Sequence, residues 1–252
     1  MPLPLPQAYL QMTKISLDIL AFAAHPDDIE ISCGATLLKS IDAGKSVGII
    51  DFTAGEMGSR GSGELRLEEG RRASELLGLT VRHNLGLRDC FFEPSESTLM
   101  TLITHIRRYR PNIVLCNSPT DRHPDHGRAS KMVREACFYS GLGKMETHFE
   151  GELQEPWRPK AVYQYIQDYY LTPDVVVDIA GYWERKVALL RCYGSQFHSA
   201  TSDEIQTPIS GAEFFDFLYG KALIVGRQAG MTLGEGFISD RYIGISGLDH
   251  LI

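Results

Sequence analysis

His25 and Asp28 stand three residues apart in Ala24-His25-Pro26-Asp27-Asp28, and far downstream the chain carries His123-Pro124-Asp125-His126. An imidazole and a carboxylate at that spacing can face one ion, and another histidine completes three N/O ligands with a position left for water. We expect His25, Asp28 and His126 to be those ligands. A mixed nitrogen and oxygen set suits Zn²⁺ better than Mg²⁺ or Ca²⁺, which prefer oxygen shells, and Fe²⁺ also fits it. Pro26 fixes its own φ and keeps His25 extended, which stiffens the turn.

The residues left over have proton work to do. Asp27, adjacent to a ligand, should point elsewhere and serve as general base, taking a proton from the attacking water and returning it to the leaving amine. His123, as imidazolium, would stabilise the oxyanion that forms when water attacks an amide carbon. Asp125 would orient a histidine, His123 or His126, through its ring N–H. Either run alone also reads as an ordinary turn or helix start in which Asp caps backbone N–H groups. Two His/Asp clusters, each ending an expected parallel strand, are hard to explain as caps. The other histidines (His83, His105, His148, His198 and His250) lack such company and read as structural or solvated.

Those side chains need a scaffold that brings them together. Leu17 to Ala24 is an apolar, strand-like run that ends at the first motif. Ile31, Ala35, Leu38 and Ile41 then recur at helical spacing up to Gly44. Val47 to Thr53 reads as a second strand, followed by the glycine-rich residues 55–63 and a helix from Glu64 to Leu77. Val81 to Leu87 is a weaker strand, Thr98 to Tyr109 a helix, and Asn112 to Cys116 a strand leading into the second motif. A helix from His126 to Tyr139 follows; beyond it, Ala161 to Ile166 and Val175 to Ile179 read as strands, and Tyr182 to Tyr193 and Glu213 to Val225 as helices.

This β-α-β-α order implies a Rossmann-like α/β domain with a mostly parallel sheet and helices on both faces. Such sheets bind ligands beyond the carboxyl ends of their strands, where both motifs lie. Residues 1–13, with Pro2, Pro4 and Pro6, read as a loose extension, and residues 14–252 as one domain.

Composition narrows the function classes. With 252 residues, 43% hydrophobic and 23% charged, the chain fits one soluble domain. No apolar run approaches the roughly 20 residues of a membrane span. A net charge of −7 argues against nucleic acid as a partner, since a basic face is needed to displace phosphate counterions. The 5 cysteines form no C-x-x-C pair, which suits a reduced, cytoplasmic chain without a secretory signal.

The two motifs together resemble the signatures of the LmbE-like, or PIG-L, zinc-dependent N-acetylglucosamine deacetylases. The likeness runs from about Leu17 onward. It includes Glu64-Leu65-Arg66 and Tyr193-Gly194-Ser195-Gln196-Phe197, stretches most similar to the branch that deacetylates N-acetylglucosaminyl malate in bacillithiol synthesis. The resemblance implies zinc on His25, Asp28 and His126, base chemistry on Asp27, oxyanion assistance from His123 with Asp125 as its partner, and substrate contact by Arg66. It also implies a homo-oligomer, a trimer or hexamer.

A malyl aglycone carries two carboxylates, for which Arg60, Arg66 and Arg122 are candidates through their planar forks. For Arg66 the plain alternative is a surface pair with Glu69. Competing readings are a deacetylase of a chitin oligosaccharide or an antibiotic precursor, and a non-catalytic metal-dependent sugar-binding protein.

Overall fold

In chain order the elements are β1 (Ile19–Ala23), α1 (Asp28–Asp42), β2 (Val47–Asp51), α2 (Gly63–Leu77), β3 (Val81–Asn84), α3 (Glu96–Tyr109), β4 (Ile113–Cys116) and α4 (Pro124–Tyr139). There follow the short β5 (His148–Phe149) and β6 (Glu152–Leu153), then β7 (Ala161–Tyr165), β8 (Val175–Asp178), α5 (Trp183–Leu190), α6 (Phe214–Gln228) and β9 (Gly234–Ser239). The computed structural model describes residues 15–197 and 205–251; the extension expected over residues 1–13 lies outside them.

The main sheet has seven strands in the order β3-β2-β1-β4-β7-β9-β8. β1 pairs in parallel with β2 and β4, β2 with β3, and β4 with β7. The chain therefore leaves β1 in one direction and returns on its other side at β4. That makes the β1–β4 boundary a topological switch point, and the crevice beyond it is where such sheets bind ligands.

Alternate side chains of the strands feed two cores. Leu20, Phe22, Ile50 and Val114 pack with Leu102, Ile106, Met132 and Val133 of α3 and α4. Ile19, Ala21, Ile49 and Leu115 pack with Ile29, Leu37 and Leu189 of α1 and α5. Helices thus cover both faces, as expected for parallel strands that read as continuous apolar runs.

β9 was not expected from the sequence. It runs antiparallel between β7 and β8, and Gly234-Glu235-Gly236 gives it neither alternation nor β-branched residues. A tertiary contact explains its buried glutamate. α1 is interrupted at Cys33 (φ −139°, ψ 19°), and the N–H groups of Ala35 and Thr36 donate to the Glu235 carboxylate at 3.3 and 2.7 Å. Lys186 of α5, also buried, donates to it at 2.6 Å. The pair ties the helix that follows the first motif to the centre of the fold. α5 itself ends at Leu190, short of the expected Tyr193.

Candidate metal and catalytic site

Both motifs occupy turns between a parallel strand and the helix after it. β1 ends at Ala23 and α1 begins at Asp28; β4 ends at Cys116 and α4 begins at Pro124. Because β1 and β4 are neighbours, the two turns face each other. The structure brings the three expected ligands together: Asp28 Oδ1 lies 3.1 Å from His126 Nε2, and Asp28 Oδ2 lies 3.6 Å from His25 Nδ1. All three residues are buried. The His123 ring joins them, and one nitrogen from each of His25, His123 and His126 lies within 4.8 Å of the others.

Carboxylates surround these imidazoles. Asp89 Oδ1 is 3.0 Å from His25 Nε2, and Asp121 Oδ2 is 2.5 Å from His126 Nδ1. Asp125 was expected to orient His123 or His126, and its geometry differs. Its Oδ2 lies 3.4 Å from His25 Nε2 and accepts the Cys90 N–H, while its Oδ1 meets Arg128 at 2.7 Å. What His123 receives from Asp125 is the backbone N–H, donated to Nδ1 at 3.3 Å. The position of the second turn, with Asp125 at the start of α4, aims the carboxylate across the crevice rather than back along its own chain. Orientation of His126 falls to Asp121, a residue sequence reasoning passed over although it stands five positions before the histidine. Asp89 had no signal in the sequence.

The charge balance fits a cation. Burial opposes charge on His25, yet Asp125, Asp28 and Asp89 hold its protonated form well above the usual histidine range. Burial likewise opposes charge on His126, and Asp28 and Asp121 lift it to about 9. Asp28 is held well below the carboxylate range, its burial outweighed chiefly by His126 and His25. A buried cluster that draws protons onto two imidazoles has the donor chemistry and the negative charge to hold a divalent ion.

Asp27 is buried like its neighbour but differs from it in backbone, partners and charge state. Its backbone sits at φ 115°, ψ −26°, a region that costs a non-glycine residue roughly 1–3 kcal/mol. Its carboxylate is buried, and Oδ2 has no hydrogen-bond partner among the described residues. Burial raises its carboxyl to about 7, against the opposing pull of Arg66. A strained, desolvated carboxylate beside a candidate metal site is how a general base is held ready.

His123 shows the opposite trend to its neighbours. Burial, then the charges of His25 and His126, push it below the usual histidine range. Since Nδ1 accepts a hydrogen bond, the neutral ring carries its proton on Nε2. The ring is therefore suited to donate as a neutral imidazole, in place of the imidazolium expected from the sequence.

The three arginines separate. Arg66 of α2 is buried and donates to Gln196 Oε1. It does not pair with Glu69, which instead accepts the Ser195 N–H and hydroxyl at 2.8 and 2.7 Å. Arg66 lies close under Gly55, whose φ of 65° and missing Cβ let the glycine-rich stretch pass over the guanidinium. Arg60 is also buried, and it donates to the backbone carbonyls of Ser195, Phe197 and Ile205. That is the bonding of a structural tie, unlike the substrate contact expected of it. Arg122 is exposed at the rim, paired with Asp168 at 2.8 Å, and lines a narrow slot with His126, Gln167, Phe214 and Phe217.

Comparison with known proteins places this arrangement. Residues 20–137 match the family model described as PIG-L, GlcNAc-PI de-N-acetylase. The chain is similar to diacetylchitobiose deacetylase of Thermococcus kodakarensis, with 30% identity across 93% of this chain and 88% of that one. It is also similar to 4-oxalmesaconate hydratase of Pseudomonas putida, with 26% identity over 71% of this chain and 74% of the other. Among solved structures, a conserved protein of Thermus thermophilus superposes with a TM-score of 0.80 and 32% identity, covering 91% and 98% of the two chains. With both motifs inside the matched region and a full-length likeness at this identity, the chain belongs to the PIG-L family.

Proposed function

We propose that this chain is a zinc-dependent amidohydrolase that removes the acetyl group from an N-acetylglucosaminyl conjugate. The observation that carries the reading is Asp27: a strained, buried and partly unpartnered carboxylate next in sequence to a candidate metal ligand. His25, Asp28 and His126 would hold the ion, which supplies Lewis acidity toward water and the amide carbonyl when bound. Asp27 takes a proton from water and returns it to the leaving amine. His123 donates from Nε2 to the developing oxyanion, and Arg66 steadies the charge on Asp27 from beneath the glycine-rich loop.

For the aglycone, the malyl reading draws on Arg66 and Arg122, the two of the three candidate arginines that are not tied to backbone carbonyls. A chitin-type disaccharide is the second reading. It is favoured by the name of the Thermococcus relative and by the engagement of Arg60 with backbone carbonyls, which leaves fewer cations for a dicarboxylate. A hydratase relative in the same family makes the reaction itself a point to test.

The test is acetate release from N-acetylglucosaminyl malate, diacetylchitobiose and N-acetylglucosamine, with metal analysis of the same sample. Faster release from the malate conjugate supports the first reading, and faster release from the disaccharide the second. No acetate from any of them, with hydration of 4-oxalmesaconate, would overturn the deacetylase assignment.

A further inference from the structure

We propose that Asn117 and Gln167 are positioning residues of the metal site: two side-chain amides that hold the Asp28 carboxylate, as an anion and in one orientation, between His25 and His126. The proposal rests on the metal-dependent reading above and names residues that neither motif contains.

Asp28 Oδ2 accepts the His25 backbone N–H at 3.0 Å and Asn117 Nδ2 at 2.9 Å. Its Oδ1 accepts Gln167 Nε2 at 2.7 Å, on the side that faces His126. The orientation of the Asn117 amide is fixed, because its Oδ1 accepts the Ala24 N–H at 2.9 Å and the NH₂ must then point to Asp28. Asn117 and Gln167 are buried, at 0% and 7% exposure, so water does not replace either donor at little cost. Gln167 is anchored in turn: Lys221 of α6 donates from Nζ to the carbonyls of Ile166 and Gln167.

The placement follows from sheet order. β1, β4 and β7 are consecutive strands, and Asp28, Asn117 and Gln167 lie just beyond their carboxyl ends. A neutral amide donor suits this position. It stabilises the carboxylate form without cancelling its charge, so Asp28 keeps its full attraction for a cation and cannot rotate away from the two histidines. A lysine or arginine there would compete with the ion.

The experiment measures the Zn²⁺ dissociation constant by chelator competition for the full chain and for Gln167→Met and Asn117→Ala. The thermal midpoint of each metal-free protein and the visible absorption of each Co²⁺-loaded protein are recorded beside it. Gln167→Met keeps the side-chain volume and removes the donor. Its expected result is a Zn²⁺ affinity weakened about 10- to 100-fold and an altered Co²⁺ spectrum, with a lowered metal-free midpoint because a buried carboxylate oxygen loses one donor. Asn117→Ala moves the affinity in the same direction and also lowers the midpoint, because it strips the Ala24 N–H of its partner. Wild-type affinity and spectrum in Gln167→Met would overturn the proposal, as would a weakened affinity with a wild-type Co²⁺ spectrum in that variant. An unmodified chain that binds no Zn²⁺ overturns the metal reading and this proposal with it. One that binds Zn²⁺ with these differences but releases no acetate overturns the deacetylase reading alone.

Discussion

The turn after β1 carries Asp27 at φ 115° with no side-chain cap, whereas the turn after β4 carries His123 at φ −85°, its ring accepting the Asp125 N–H and Pro124 opening the helix. Both turns end a parallel strand and start a helix beside the same crevice. The first spends backbone energy to aim one carboxylate away from its neighbour, so that Asp27 and Asp28 occupy opposite environments one residue apart. Asp28 has both oxygens hydrogen-bonded and is held ionised; Asp27 is desolvated and raised to about 7. The second turn needs no such strain, because His123 caps α4 in extended backbone while Asp125 and His126 take ordinary helical positions in its first turn. Strain thus sits where two adjacent residues must do different jobs.

Breaking the first turn has the largest expected effect. Asp27→Ala should retain metal and lose activity by about 10²- to 10⁴-fold, measured as acetate release from the preferred conjugate; an active variant would remove Asp27 as the base. In the second turn, His123→Ala should reduce kcat by about 10²- to 10³-fold with little change in KM. An equal effect on KM would make His123 a ground-state binder instead. Asp121→Asn should weaken metal affinity by about 10- to 100-fold through loss of the carboxylate that orients His126, and chelator competition reads it directly.

The smallest effects concern stability and test the contrast in strain itself. Asp27→Gly should be more stable than Asp27→Ala by about 1 kcal/mol in denaturant unfolding, since glycine alone adopts that φ without cost. Pro124→Ala should instead lose about 0.5–1 kcal/mol, because a relaxed first helical position gains from proline's restriction of the unfolded chain. Equal stabilities for the two Asp27 variants would mean that the turn stores no strain.

Most of the parallel frame was legible. Val47 to Thr53 and Asn112 to Cys116 are apolar runs bounded by turn residues, and they form β2 and β4 with ends displaced by a residue or two. β9 was not legible, since Glu235 and its flanking glycines belong in a strand only once the interrupted α1 presents two N–H groups to that carboxylate. The site divides in the same way. His25, Asp28 and His126 announce themselves through type and spacing, whereas Asp89, Asn117 and Gln167 are polar residues with no periodic or motif signal.

What the sequence determined by itself is local: which segments alternate or run apolar, where a strand gives way to a helix, and which side chains at those junctions can ligate or move a proton. Only the tertiary structure decided the partners. Sheet order sets β1 between β2 and β4, and β7 beyond β4, so Asp28 meets amides from residues 117 and 167, and His25 meets carboxylates from residues 89 and 125. The physical reason is that hydrogen bonds and ion pairs act over a few ångströms of space, and a crossover fold makes spatial neighbours of residues that the chain keeps far apart.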